Sequence, residues 1–252
     1  MKKLNKFLLI FCMLFMIVNI STILLHELAH YIVAKIYTND VKYTSNYVNF
    51  NSNILDAKQL FLINIIGPIF SLLLGSISYI LYKKQKIKIL RSLFYWFGLH
   101  NVCFFIGYCI LGVFIKNSDM GYVYNFLSIN IFIKIIIVFI SIMLLKKQYK
   151  MATEEFLLYR QKKELNKKNL GKYIFIYPIA IYIIIMLIIN TNSNIISILP
   201  IVSLPLSYIS IYKSYMKNDK NIDNIIYIEE KYFFVLMAFN LIILLTYIIL
   251  KS

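Results

Sequence analysis

The chain alternates between long runs with almost no charge and short polar interruptions. The apolar runs cover about residues 7–37, 59–82, 93–115, 126–145, 173–189, 195–212 and 232–250. Runs of roughly 18–25 residues cross a ~30 Å hydrocarbon layer as helices. Inside that layer a backbone without water must bond to itself, which leaves the helix as the only spanning form for such runs. The pattern predicts an all-α fold, a polytopic transmembrane bundle of about 6–7 spans. The first run exceeds the membrane core, so one of its ends must tilt or protrude. Pro200 and Pro205 predict a kink in the sixth.

Two interruptions carry local signals. In Val41–Phe50 (VKYTSNYVNF) β-formers flank a Ser45–Asn46 turn signal, predicting a short hairpin between the first two spans. Within the basic segment 146–172, the stretch TEEFLLYRQKKEL predicts an amphipathic surface helix opening at Thr153. The organisation that follows is a core over 1–145, a basic surface linker over 146–172 and accessory spans over 173–252.

Composition agrees with a membrane protein. Apolar residues make up 60% of the chain, charged residues 15%, and mean hydropathy is +0.73. That is too little polar surface to cover a globule in water. The net charge of +16 does not imply a nucleic-acid partner, because the basic residues cluster beside apolar runs. The N-terminus (MKKLNK, then an apolar run) imitates a signal peptide, but the run is too long and no small-residue cleavage site follows, so it is expected to be a retained helix. With that terminus inside, 21 basic residues fall on the cytoplasmic side, in 2–6, 83–91, 146–172 and 213–231, and six on the other. The count favours an inside N-terminus. Cys12, Cys103 and Cys109 are scattered in apolar runs and predict no disulfide framework.

Chemistry concentrates in the first span, at His26-Glu27-Leu28-Ala29-His30. Residues i and i+4 share a helix face, so His26 and His30 can offer two imidazoles to one metal, with Glu27 beside them as a base. The opposing reading is a structural accident. Against it, an unpaired carboxylate deep in an apolar span costs at least ~2.5–3.5 kcal/mol on insertion scales, and a metal beside Glu27 removes that cost. A catalytic zinc needs a third protein ligand. Two candidates remain. Asp119 ends the third span on the side where the first span ends; it is too shallow unless the chain dips, which Gly121 permits. His100 lies too deep, and with Asn101 it also reads as a buried polar pair.

LLHELAHYIVAK in the first span and NIIGPIFSLLLG in the second resemble the site-2 protease family of intramembrane zinc metalloproteases. In the second motif Ile66 and Ser71 stand where the family has Ala and Asn, and the nearest equivalent of its Asp-Gly element is Asp119-Met120-Gly121, with Met120 inserted. The resemblance spans about residues 20–125. It implies one Zn²⁺ per chain on His26, His30 and Asp119, with Glu27 as general base. It also makes Gly67, Pro68 and Ser71 candidate substrate-binding residues. The implied activity is membrane-embedded endoproteolysis of a peptide or single-span membrane protein, in the plasma membrane of a bacterium. The 38–58 segment could hold an unwound substrate strand by β-addition. The family places its zinc nearer the cytoplasm, whereas the basic-residue count predicts a site towards the exterior.

Two alternatives are open. Another membrane HExxH family takes a glutamate in a Glu-x-x-x-Asp/Asn pattern as third ligand; Glu154 and Glu155 lack that pattern. A non-catalytic multipass protein (a transporter, an immunity-type protein or a pseudoprotease) could also retain the motif. The sequence names no substrate and no oligomeric state.

Overall fold

The first helix is at the centre because it is apolar on every side. The computed structural model describes residues 2–157, 167–190, 208–217 and 233–251. Along the chain these form α1 (Lys2–Tyr37), β1 (Val41–Tyr43), β2 (Val48–Phe50), a 3₁₀ turn (Ser52–Ile54), α2 (Ala57–Lys84), α3 (Lys88–Phe114), α4 (Asp119–Phe126) and α5 (Ile131–Leu157). Then come α6 (Lys167–Gly171), a π-helical stretch (Lys172–Ile176), α7 (Tyr177–Ile189), α8 (Ile209–Lys217) and α9 (Phe233–Lys251). α1 touches α2, α3, α7, α9 and the strands. Among the described residues five helices are long and apolar enough to cross a membrane, Leu8–Tyr37, Ala57–Lys84, Lys88–Phe114, Lys172–Ile189 and Phe233–Lys251. They coincide with the first, second, third, fifth and seventh apolar runs.

The fourth run departs from expectation. Leu127–Asn130 interrupts it: Ser128 has φ 51° and the Asn130 side chain accepts from the Ile133 N–H at 2.9 Å, restarting the helix as α5. α5 carries Lys134, Lys146 and Lys147 and is not one of the five. It runs on through Thr153, whose hydroxyl donates to the Tyr149 carbonyl at 2.8 Å, so no new helix opens there. Ala152 and Phe156 are buried in the core. The expected surface helix is therefore corrected over 153–157, where packing against α3 wins, and 158–166 lie outside the described residues. The sixth run lies mostly outside them too.

The hairpin forms as expected. β1 and β2 pair antiparallel with Val41 opposite Phe50 and Tyr43 opposite Val48.

The bundle has two distinct ends. Around Phe15 on α1, Trp96 and Tyr182 pack edge to face at 5.7 Å each, and Trp96 lies 4.5 Å from Phe156. Beyond this aromatic core, Tyr82 of α2 donates to Glu155 of α5 and receives Arg91 Nη2 of α3 at 2.9 Å. That clasp gathers the basic segments 83–91 and 146–157 at one end. The other end holds the hairpin, the last turns of α7 and α9, and α4.

Candidate metal centre

His26 and His30 occupy successive turns of α1, both buried, with Nε2 atoms 3.1 Å apart. Asp119 Oδ2 lies 3.1 Å from His26 Nε2 and 3.3 Å from His30 Nε2. The three ligand atoms all fall within 4.8 Å of one another. Asp119 arrives there because the chain reverses after α3. The Ser118 hydroxyl donates to the Ile115 carbonyl at 2.7 Å and accepts from the Gly121 N–H at 3.2 Å, capping α4. A Cβ on Gly121 would overlap the Ile115 carbonyl, so only glycine permits this approach. The Tyr124 hydroxyl then donates to the Cys109 carbonyl at 3.0 Å, holding α4 back along α3. This is the dip that Asp119 required.

His100 is elsewhere. Its Nδ1 is 2.7 Å from the Tyr208 hydroxyl and its ring stacks on Phe104 at 6.2 Å. Asn101 bonds Thr22 Oγ1 at 3.0 Å and the Phe97 carbonyl at 2.9 Å. The two are buried polar residues as expected, but they bond to different neighbours rather than pairing. Glu154 is exposed and Glu155 belongs to the clasp at the other end.

The outer nitrogens settle what the inner ones can do. His30 Nδ1 is 2.5 Å from the Ile63 carbonyl, which can only accept, so Nδ1 carries the hydrogen and Nε2 a lone pair in the neutral ring. His26 Nδ1 faces Ser71 Oγ at 3.0 Å, with the Gly67 carbonyl also within hydrogen-bonding reach, which favours the same tautomer. With both rings neutral in that tautomer, two imidazole lone pairs and a carboxylate oxygen converge with no hydrogen between them. Such a set is repulsive unless a cation joins it, and nitrogen–oxygen donors with hydrogen-bonded outer nitrogens are what zinc takes. The donor set fits a divalent metal. Without a metal a proton on the histidines joins the set instead: burial by itself would raise the Asp119 carboxyl, but the charges and hydrogen bonds of His30 and His26 then outweigh burial and hold it below the ordinary carboxylate range. The Asp119 side chain is 23% exposed against 0% for His26 and 7% for His30, so the centre opens on the Asp119 side.

Glu27 is buried and within electrostatic range of His30 and Asp119. Gly67, Pro68 and Ser71 are buried in α2. A Cβ on Gly67 would lie 2.6 Å from His30 Cε1, and Ser71 meets His26. Gly67 thus borders the Nε2 end of the His30 ring, and Ser71 the outer nitrogen of His26. α2 continues through Pro68.

Three contributors had no sequence signal. The Ile63 carbonyl is backbone. Tyr43 of the hairpin donates to the Leu24 carbonyl at 2.7 Å, and burial, with Glu27 nearby, pushes its hydroxyl up to about 12. Tyr108 of α3 stacks on His26 with centroids 4.7 Å apart. Comparison with family models, curated proteins and solved structures finds no match to this chain.

Proposed function

We propose that this chain is a membrane-embedded zinc metalloendopeptidase of the site-2 protease type. The observation that carries the proposal is the convergence of His26 Nε2, His30 Nε2 and Asp119 Oδ2 beside the buried carboxylate of Glu27. His26, His30 and Asp119 would hold the zinc. Zinc bound there supplies a Lewis acid for a peptide carbonyl and makes water acidic enough to lose its proton near neutral pH. The protein's own residues do the rest. Glu27 takes the proton and delivers it to the leaving amine. Ile63 and Ser71 keep both imidazoles in the ligating tautomer. Burial of α1 keeps bulk water away from the pair.

The chain is proposed to sit in a bacterial plasma membrane with about 6–7 spans and to cleave a peptide or a single-span membrane protein. Its site is proposed to open to the exterior. The orientation rests on the end-to-end asymmetry: basic segments gather at the clasp end, and the metal centre with the hairpin lies towards the other. Single cysteines at Ser52 and Ser214, both exposed, in a background lacking Cys12, Cys103 and Cys109, test it with an impermeant thiol reagent on intact cells. Labelling of Ser52→Cys alone is expected; labelling of Ser214→Cys alone reverses the orientation.

Metal content and proteolysis of the purified protein test the activity. About one zinc per chain and cleavage of casein as an unfolded reporter are expected. Glu27→Gln should retain the zinc and fall below a few per cent of the activity, since an amide cannot accept the proton. A zinc-free protein, or an undiminished Glu27→Gln, removes the proposal. Zinc without cleavage of any co-expressed single-span protein favours a non-catalytic metal protein.

A further inference from the structure

The walls around His26 are aromatic. Phe104 meets the imidazole edge-on at 5.1 Å, Tyr108 lies almost parallel to it at 4.7 Å and 24°, and the two rings pack edge to face at 4.9 Å. Both come from one face of α3, one turn apart. Phe104 is buried, whereas Tyr108 is only partly so. These ring contacts account for an aromatic side chain at position 108 but not for its hydroxyl. Stacking on His26 keeps that hydroxyl beside the candidate ligands, within electrostatic range of both Asp119 and Glu27. The other tyrosines that sense Glu27 are committed elsewhere: Tyr43 to the Leu24 carbonyl at 2.7 Å, and Tyr247 to Asn46.

Resting on the peptidase reading above, we propose that Tyr108 is a catalytic residue whose hydroxyl donates a hydrogen bond to the scissile carbonyl oxygen as that oxygen becomes an oxyanion. Attack of water forms the new C–O bond and moves the carbonyl π pair onto oxygen. The proton of the water goes to Glu27 and then to the leaving amine as the C–N bond breaks. The phenol keeps its own proton throughout and only donates. The carbonyl oxygen is the one group in the reaction that gains negative charge without gaining a proton, so a neutral donor aimed at it strengthens in the transition state alone. His26 fixes the donor by stacking, which leaves the ring little freedom to turn away.

Tyr108→Phe keeps the stack and removes the hydroxyl, and Phe104 shows that a phenyl ring is accommodated beside His26. Three quantities are measured on wild type and variant: zinc per chain, kcat and KM on casein, and the affinity of the zinc-loaded protein for acetohydroxamate, whose anionic oxygen accepts a hydrogen bond. Zinc content is expected to be unchanged, kcat to fall about 10²–10³-fold with KM nearly constant, and hydroxamate affinity to fall about tenfold or more. Unchanged kcat and unchanged hydroxamate affinity would reduce Tyr108 to a packing ring. Loss of zinc from Tyr108→Phe would make it a support of the metal ligands and equally overturn the proposal. If the wild type binds zinc but cleaves nothing, the peptidase reading has failed, and the hydroxamate measurement still reads the hydroxyl by itself.

Discussion

Two clusters of buried polar side chains lie in the hairpin half of the molecule, and they close in opposite ways. At the hairpin tip, Asn46 Nδ2 donates to Asn190 Oδ1 at 2.8 Å, Asn190 Nδ2 donates to the Tyr247 hydroxyl at 3.1 Å, and Tyr247 donates to Asn46 Oδ1. Each donor meets an acceptor, so the ring satisfies itself and ties β1–β2 to the last turns of α7 and α9. The Ser45 N–H reinforces it by donating to the Leu250 carbonyl at 3.1 Å. At His26, His30 and Asp119, with both rings neutral, three acceptors meet instead. The hydrogens are committed outwards, to Ile63 in one ring and towards Ser71 in the other. A polar cluster that closes on itself joins elements together, and one whose acceptors converge unpaired is a candidate metal site. Burial alone does not separate the two, since His26, Asn190 and Tyr247 are all nearly inaccessible.

Removing a converging acceptor should have the largest effect. His26→Ala, His30→Ala and Asp119→Ala are each expected to lose the proposed zinc, read by metal analysis, and with it essentially all of the proposed proteolysis. His100→Ala keeps its zinc; its loss there would mean that the donor set is wrongly drawn. Next comes Gly67→Ala, whose methyl would run into the His30 imidazole. It should weaken zinc binding about 10–100-fold in a chelator competition, the range seen when the supports of a ligand are disturbed. Ser71→Ala removes one outer partner of His26 while the Gly67 carbonyl remains, and should sit at the lower edge of that range.

The self-closing ring should respond in the opposite sense. Asn190→Ala leaves its partners in the ring unsatisfied at a buried position and should cost about 1–3 kcal/mol, seen as a lower melting temperature in detergent with zinc content unchanged. Tyr247→Phe removes one donor and should cost less. A ring variant that released zinc while still folded would erase the distinction between the clusters. The same result would show that the accessory helices act on the site through the hairpin.

The patterning of the chain was enough for much of the fold. Five of the seven apolar runs are long apolar helices among the described residues, because a run of that length has only one way to satisfy its backbone without water. The hairpin was legible for an equally local reason, a turn signal between β-formers. His26, Glu27 and His30 were fixed as neighbours by the helical repeat alone. What the sequence left open was decided by contacts between distant segments. Whether Asp119 or His100 faces the imidazoles depended on a reversal after α3 that Ser118, Gly121 and Tyr124 build together. The end of α5 reads as an amphipathic surface helix, yet Ala152 and Phe156 are buried because α3 presents Tyr95 and Trp96 there. Gly67 and Ser71 read as a substrate motif, and only the crossing of α1 and α2 shows that they face the imidazoles. Local spacing determines which residues share one face of one helix; which faces meet is set by packing, and it was packing that brought a carboxylate, a serine and a main-chain carbonyl to the two histidines.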